Sequence, residues 1–126
     1  MPSWTRDELG RIGGSEEVHV APRRPDGSPH DRVTVWLVRA GDDLYVRSAV
    51  KGRNAAWYRA VEQTHEGRVS GGGVDRDVQF IDAPPDVNEE VDAAYRSKYR
   101  QYAGRILNSC LTPEARSTTL RLVPRS

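Results

Sequence analysis

The chain has 126 residues, enough for one domain, and no internal repeat is visible. Its 19 Lys and Arg nearly balance 18 Asp and Glu, which gives a formal net charge of +1. The single cysteine excludes a disulfide framework, and no apolar run approaches the ~20 residues of a membrane span. Met1 is followed by a polar stretch that lacks the apolar region of a signal peptide. We therefore expect a single cytoplasmic domain, residues 1–126, that does not enter a membrane.

The first predicted elements are a short helix, a strand and a loop. Thr5 and Glu8 have the spacing of a capping box, and the pair at 13–14, both glycines, ends the helix. EEVHVA at 16–21 has the composition of a strand. The segment 22–31 contains three prolines and a glycine, so it predicts a mobile loop that could cover a pocket.

The next stretch carries the clearest strand signal. RVTVWLVR (32–39) is a continuous apolar run of strand length, and DLYVRSAV (43–50) follows after a Gly-Asp turn. The two runs predict an antiparallel hairpin. Asn54 is the expected N-cap of a helix, AAWYRAVEQ, that would bury Trp57 and Val61 one turn apart.

A second, glycine-rich hairpin is predicted from GRVSGGG and DRDVQFIDA, with Val78 and Phe80 on one face. In it, SGGG precedes a strand rather than a helix, so a turn is favoured over a phosphate loop. A loop at 108–114 is expected before the last strand, STTLRLV (117–123).

The longest helix is expected at about 86–107, capped by Asp86 and Glu89. Its apolar stripe is Val91, Tyr95, Tyr99, Tyr102 and Ile106. Hairpins interrupted by helices indicate an α+β fold, mainly β. We expect a small barrel of antiparallel strands decorated by helices rather than a doubly wound sheet.

One stretch is unusual in charge. YVRSAVKGRNAAWYRAV (45–61) contains no acid, and its cations are Arg47, Lys51, Arg53 and Arg59. A solvated strand end would explain this composition. An anion site is the alternative, because Gly52 lets the backbone approach a ligand and the following helix directs free N–H groups to the same place. The stretch does not match the P-loop pattern.

Other chemistry finds little support in the sequence. His19, His30 and His65 lack metal-ligand spacing, and Cys110 has no cysteine nearby, so no metal site is expected. No G-x-S-x-G motif marks a nucleophile, which leaves the catalytic residues unidentified. The tyrosine stripe favours a core or dimer contact over catalysis. A pI near 7.9 and one compact basic patch give little support to a nucleic-acid partner.

The combination of VRSAVKGRNAAWYRAV, a later hairpin, YRSKY in a long helix and a terminal TLRLVP strand resembles a bacterial family of unknown function. That family belongs to the FMN-binding split-barrel superfamily, with pyridoxamine-phosphate-oxidase-like and deazaflavin-dependent nitroreductase-like proteins. The K-G loop leading into A-W-Y resembles the nitroreductase branch. Here that loop is shorter and lacks the branch's proline, which leaves the cofactor's identity open.

The resemblance implies a split barrel that forms a homodimer, with cofactor sites at the subunit interface. The slightly low apolar content also favours a second subunit. The resemblance implies that the junction holds the phosphate of FMN or a deazaflavin. The implied cofactor-binding residues are Arg47, Ser48, Lys51, Gly52, Arg53 and, packed behind them, Trp57.

Two functions follow as hypotheses. The first is a flavin- or deazaflavin-dependent oxidoreductase acting on a small organic substrate, in which the cofactor performs the chemistry. The second is a split-barrel small-molecule-binding protein, or a cofactor-free enzyme, without redox activity.

Overall fold

The computed structural model describes residues 3–102 and 104–125. The helices are α1 (Arg6–Gly14), α2 (Ala56–Thr64), α3 (Asn88–Lys98), α4 (Arg105–Asn108) and α5 (Pro113–Arg116). The strands are β1 (Val18–Pro22), β2 (Val33–Val35), β3 (Leu37–Ala40), β4 (Asp43–Val46), β5 (Glu66–Gly71), β6 (Val74–Asp82) and β7 (Leu120–Pro124).

These strands form one antiparallel sheet in the order β2-β1-β5-β6-β7-β4-β3. The two edge strands, β2 and β3, are consecutive in sequence and are separated only by Trp36. The sheet therefore curls until its edges approach each other, and it forms a nearly closed barrel. This confirms the predicted α+β split barrel with hairpins β3–β4 and β5–β6.

Two apolar clusters lie on opposite faces of the sheet. The barrel interior contains Leu44 and Val46 of β4, together with residues from α1 and α2. The outer face contains Tyr45, which packs with Val91 and Tyr95 of α3. This alternation follows from the two-residue period of a strand, and it makes β4 the element shared by both cores.

The expected continuous strand over 32–39 is wrong, because the chain leaves the sheet at Trp36. Before this residue β2 pairs with β1, and after it β3 pairs with β4. An apolar run cannot reveal such a change of partner, since Val35 and Leu37 on either side are both buried in the barrel.

The expected strand over 43–50 is too long, since β4 ends at Val46. Asn54 is not an N-cap, because it lies in a 3-10 turn, Gly52–Asn54, and Ala55 precedes α2 without a side-chain cap. In α2, Val61 is buried as expected, but the adjacent Tyr58 takes the buried position predicted for Trp57, which is half-exposed.

The long helix expected at 86–107 is also wrong. A 3-10 turn (Pro85–Val87) replaces the expected cap by Asp86 and Glu89, and α3 ends at Lys98. Gly104 then adopts φ +109°, which a helix interior does not accept. As a result Tyr102 and Ile106 are exposed rather than part of the core stripe.

The capping box at Thr5 and Glu8 is confirmed, and so is the turn at Gly72. The expected loop at 108–114 contains the start of α5, whose N-cap Thr112 accepts a hydrogen bond from a backbone N–H of that helix. The strand expected over 117–123 is β7, and it begins three residues later than predicted.

Candidate functional site

A cleft of about 220 Å³ lies where the two edges of the sheet meet. Trp36, between β2 and β3, forms one wall, and Trp57, at the start of α2, forms another. The segment after β4 contributes Val50, and the segment at α4 contributes Ile106 and Cys110. The opening of the barrel thus becomes a pocket between two indole rings.

The Trp36 wall is held in place by other aromatic rings. Its indole stacks on Tyr99 with ring centroids 4.1 Å apart and planes 3° apart, and Tyr102 lies 5.3 Å away. Tyr95 fixes the backbone here, because its hydroxyl donates to the Trp36 carbonyl and accepts from the Arg47 N–H. A rigid planar wall of this kind suits a flat ligand.

Apolar side chains are exposed at the rim of the cleft. Val50 is 84 % exposed and Ile106 58 % exposed, although both line the cleft. Two large exposed side chains beside a pocket form a surface that a ligand or a second chain can cover.

Arg47, the first residue of the predicted phosphate site, lies inside the protein and is 3 % exposed. Its guanidinium donates to Thr119 Oγ1, to Asp92 Oδ1, to the Cys110 carbonyl and to both oxygens of Asn88. All five of its N–H donors are therefore engaged. The geometry opposes a direct contact between this guanidinium and a phosphate.

Asp92 is the acidic partner of Arg47, and its other oxygen accepts from Arg116 at 2.5 Å. Burial raises the pKa of Asp92, but hydrogen bonds and charges from the two guanidinium groups outweigh burial and hold that pKa below its usual value. The cluster joins α3 and α5 to the end of β4. It anchors these elements. Two guanidinium groups against one carboxylate leave the cluster a net charge of +1, and the Arg116 Nε atom is buried without a hydrogen-bond partner among the described residues.

The remaining residues of the predicted phosphate site diverge. Ser48 is buried, and its N–H donates to Thr118 Oγ1 at 2.9 Å. Lys51 and Arg53 are exposed, one on each side of Gly52. Gly52 has φ +53°, and a Cβ there would lie 2.6 Å from the carboxyl group of Glu114.

Arg53 points away from the cleft. It donates to the Ser117 carbonyl at 3.1 Å, approaches Glu62 at 4.0 Å and lies over the Tyr58 ring. The acid-free stretch of sequence is therefore not acid-free in space, because Glu62, Asp92 and Glu114 all approach it. Of the four cations in the stretch, Lys51 and Arg59 have no ion-pair partner among the described residues.

A second cavity, of about 270 Å³, lies on the other side of Trp57. Arg24, His30 and Arg32 line it together with Ala56 of the first turn of α2. Asp31 is the acid among its lining residues. Three basic side chains and the N-terminal end of a nine-residue helix thus face one space, which favours an anion.

His30 adds a further observation. Its Nε2 atom is buried and has no hydrogen-bond partner among the described residues. A buried polar atom without a hydrogen-bond partner lowers the stability of the fold. A ligand that forms a hydrogen bond with this atom would remove that cost, and the complex would be more stable. Sequence reasoning missed this cavity because 22–31 was interpreted only as a loop, although the R-R and H-D-R groups within and beside it were visible.

The titratable groups near the cleft do not form a nucleophilic centre. Burial raises the pKa of Cys110 to about 11, so its thiol stays protonated at neutral pH. Burial also raises the pKa of Tyr95 well above its usual value. Among the described residues, no group of three His, Cys, Asp or Glu side chains could hold a metal ion. No helix in the described ranges has the length and apolar character to cross a membrane.

A curled antiparallel sheet that opens at one residue, with a cleft at the opening, defines a split β-barrel protein. Residues 8–122 match the DUF2255 family, described as an uncharacterized protein conserved in bacteria, and the chain belongs to that family. The resemblance deduced from the sequence is thereby confirmed. No curated protein matches the sequence.

Solved structures share this fold at low identity. The chain is similar to an F420 reductase, with TM-score 0.55 and 19 % identity, over 93 % of this chain and 92 % of the other. It is similar to an FAD-binding protein from Mesorhizobium loti, with TM-score 0.56 and 13 % identity, over 98 % of this chain and 92 % of the other. It is also similar to an FAD and haem binding protein from Mycobacterium smegmatis, with TM-score 0.53 and 18 % identity, over 94 % of this chain and 64 % of the other.

Proposed function

We propose that this protein binds a flavin-type cofactor, FMN or a deazaflavin, at the opening of its barrel and acts as an oxidoreductase on a small organic substrate. The observation that carries the proposal is the pair of spaces that flank Trp57. One is a cleft with aromatic walls, and the other is lined by three basic side chains. A molecule with a flat ring at one end and an anionic group at the other matches both.

The ring would lie in the cleft between Trp36 and Trp57. Trp36 is braced by Tyr99, so the wall needs no rearrangement to receive a planar group. The names of the structural neighbours, an F420 reductase and FAD-binding proteins, support a flavin-type ligand at this coarse level.

The anionic group would lie beyond Trp57, against Arg24, His30 and Arg32. Arginine suits this role because its planar fork can donate two hydrogen bonds to one phosphate. Lys51 keeps its predicted part as a point charge near the start of α2. Arg47 takes an indirect part, since it fixes the end of β4.

A bound flavin would supply hydride chemistry, so the chain itself needs no nucleophile. The protonated Cys110 and the unreactive phenol of Tyr95 agree with that division of roles. The residues of this chain bind, orient and shield the ring. The lone cysteine, with no disulfide framework, supports a place in the reducing cytoplasm.

The proposal includes a homodimer, because the cleft alone is open on one side. Val50, Ile106 and Tyr102 give its rim an exposed apolar surface that a second copy would cover. Light scattering at tens of micromolar should return two chain masses, and Ile106→Asp should shift the result toward one. A single chain mass for the wild type would contradict the dimer.

The cofactor is tested by titrating FMN and F420 separately into the wild type and variants, followed by tryptophan fluorescence, to which Trp36 and Trp57 at the cleft contribute. Losing one hydrogen bond to a charged group should weaken binding about 10- to 150-fold. Arg32→Ala and Arg24→Ala should show this loss, and Lys51→Ala a smaller one.

Arg59→Ala is the matched control, because Arg59 is exposed on α2 and lines neither space. Equal affinities in all these variants would contradict the anion site. If neither cofactor binds the wild type, the flavin proposal fails.

A specific observation favours the alternative function, a split-barrel binding protein or cofactor-free enzyme without redox activity. The junction implied by the resemblance has Arg47 fully engaged and the Glu114 carboxyl group against Gly52, so it offers a phosphate less charge than its sequence indicates. Absence of cofactor binding, with the fold intact, would support this alternative.

A further inference from the structure

The basic cavity beyond Trp57 is lined by four segments of the chain, of which one carries charge. The end of β1, the start of β2 and the first turns of α2 contribute no titratable side chain, and their lining residues are Pro22, Val33, Ala56, Trp57 and Ala60. The titratable lining residues all belong to the loop between β1 and β2, and they are Arg24, His30, Asp31 and Arg32. Carboxylates titrate below about pH 5 and arginine above about pH 12, so between these limits the charge of this lining changes at His30.

His30 is held in place by its backbone rather than by its ring. Its N–H donates to the Pro22 carbonyl at 2.8 Å, and a bridge between Arg23 and Pro29 closes the loop beside it. The Nε2 atom of the ring is buried and has no hydrogen-bond partner among the described residues. Bulk water does not reach a buried atom, so solvent leaves this nitrogen unpaired. The loop therefore presents a fixed, unsatisfied ring nitrogen at the cavity.

The other polar groups around the cavity keep donors available for a ligand. The Arg24 guanidinium donates to the Pro29 carbonyl, while Arg32 donates no side-chain hydrogen bond to the described residues. Arg32 is exposed, so it can rotate and admit a ligand to His30 without opening the loop. Ala55 precedes α2 without a side-chain cap, which leaves the first N–H groups of this nine-residue helix free as well.

A bound anion and a protonated His30 would stabilise each other. An imidazolium donates a charge-assisted hydrogen bond from Nε2, and a negatively charged oxygen is the acceptor that favours this charged form of the ring. Thermodynamic linkage makes the effect reciprocal, so protonation of the ring must raise the affinity for the anion by the same factor. The cavity thus has two permanent positive charges and a third that depends on pH.

We propose that this cavity binds a small tetrahedral dianion, of the class of phosphate, phosphomonoesters and sulfate, and that binding is linked to protonation of His30 by one proton from solvent. Arg24 and Arg32 supply charge at every physiological pH, and His30 adds to it as the pH falls. The inference rests on the anion site of the proposed function, and it adds the class of anion and the proton.

A dianion fits this lining better than a singly charged ligand. Two guanidinium groups and one imidazolium face Asp31, so the lining carries a net charge of about +2 when His30 is protonated. A carboxylate or a phosphodiester brings one negative charge and leaves part of this charge unbalanced. A terminal phosphate or a sulfate balances it and has enough oxygen acceptors for all three side chains.

The test uses sulfate, because sulfate stays a dianion between pH 5.5 and 8 whereas phosphate titrates near pH ~6. Calorimetry at constant ionic strength should show one sulfate per chain, with a dissociation constant on the order of 1 mM at pH 5.5. The affinity should be about 10-fold lower, or less, at pH 8. Titrations at pH 7 in two buffers of different ionisation enthalpy should show net proton uptake. Methyl sulfate, a monoanion, should bind more weakly and with a smaller pH dependence.

His30→Gln keeps a side-chain donor but removes the titration. At pH 8 it should bind sulfate within about 3-fold of the wild type, but it should lose the gain at pH 5.5 and the proton uptake. His19→Gln is the matched control, because His19 lies on β1 and does not line the cavity, and it should keep the wild-type pH dependence. Arg32→Gln should weaken sulfate binding about 10-fold or more at both pH values and leave their ratio unchanged. Circular dichroism should show the wild-type fold in all three variants.

The proposal is overturned if sulfate does not saturate at pH 5.5, if its affinity is equal at the two pH values, or if His30→Gln keeps the wild-type pH dependence. A further titration separates this inference from the proposed cofactor. FMN and riboflavin share a ring, but riboflavin lacks the phosphate, so sulfate should compete with FMN and not with riboflavin. Sulfate binding without FMN binding would contradict the cofactor and leave this inference standing, and FMN binding without sulfate binding would do the reverse.

Discussion

Replacing Arg47 by Met should destabilise the protein, because Arg47 is an internal anchor. Methionine keeps much of the length of the side chain but removes the charge and all five donors. Asp92, 3 % exposed, would lose one of its two guanidinium partners, and carbonyls at Asn88 and Cys110 would lose a donor. Removing one partner of a buried ion pair typically costs about 3–5 kcal/mol.

Arg116 still pairs with Asp92 in this variant, so we expect a loss of unfolding free energy at the lower end of that range, about 3 kcal/mol. Since a domain of this kind is stable by ~5–15 kcal/mol, that loss is a large share. With a urea slope of ~1–3 kcal/mol/M, the unfolding midpoint should fall by about 1–3 M. Circular dichroism during urea titration measures it.

Arg59→Met, at an exposed position, is the matched control, and its free energy of unfolding should stay within about 0.5 kcal/mol of the wild-type value. The double variant Arg47→Met, Asp92→Leu should lose less than the sum of the single variants, because the pair is removed together. If Arg47→Met were as stable as the wild type and lost only cofactor affinity, the anchor role would be refuted and the predicted phosphate role restored.

The same cluster predicts a pH dependence. The folded-state pKa of Asp92 lies below its unfolded value of about 3.9, so its contribution is fully present above that pH. The contribution is lost as the pH falls through the folded pKa. Asp92→Asn should therefore be less stable at neutral pH and should show a shallower loss of stability in acid.

Four other predictions follow from single features. The pKa of Lys98 is lowered by burial to about 8, so stability should rise between about pH 8 and 10, and Lys98→Met should remove that slope. Cys110 should react slowly with iodoacetamide until the protein is unfolded in urea. Gly72→Ala should destabilise by more than 1 kcal/mol, because φ is +58° and a Cβ would lie 2.2 Å from the Arg11 carbonyl oxygen. Residues 22–31 should exchange amide hydrogens quickly without ligand, and protection throughout would contradict the expected mobility.

The elements that sequence reasoning predicted correctly are those with local causes. The capping box needs only Thr5 and Glu8, and both hairpins follow from apolar runs of strand length around short turns. The order of elements then allowed few arrangements other than a small antiparallel barrel. Local pattern was therefore sufficient for the fold class.

The errors arise where a distant contact decides the structure. Trp36 leaves the sheet because β2 before it pairs with β1 and β3 after it pairs with β4, at opposite ends of the sheet. No local property marks that residue. The helix α3 ends at Lys98. The next residue, Tyr99, stacks on Trp36, which lies 63 positions earlier in the chain. The missed α5 is different, since Thr112 followed by Pro113 and Glu114 is a local start signal that could have been found.

The basic stretch 45–61 shows how a charge pattern changes meaning on folding. In sequence it contains no acid, which favours an external anion as the balancing charge. In space Asp92 neutralises Arg47, Glu62 approaches Arg53, and Glu114 reaches Gly52. Two of the four cations, Arg47 and Arg53, are therefore paired within the chain, while Lys51 and Arg59 have no ion-pair partner among the described residues.

Further basic side chains without an ion-pair partner among the described residues lie on and beside the loop before β2. Arg24, His30 and Arg32 face a cavity with one acid among its lining residues, and the His30 Nε2 atom has no partner there. These side chains lie on or beside 22–31, which is closed by a bridge between Arg23 and Pro29, and the Arg24 guanidinium donates to the Pro29 carbonyl at 2.9 Å. An anionic ligand at Trp57 that binds these side chains would stabilise the segment further, so amide protection of 22–31 should rise with occupancy.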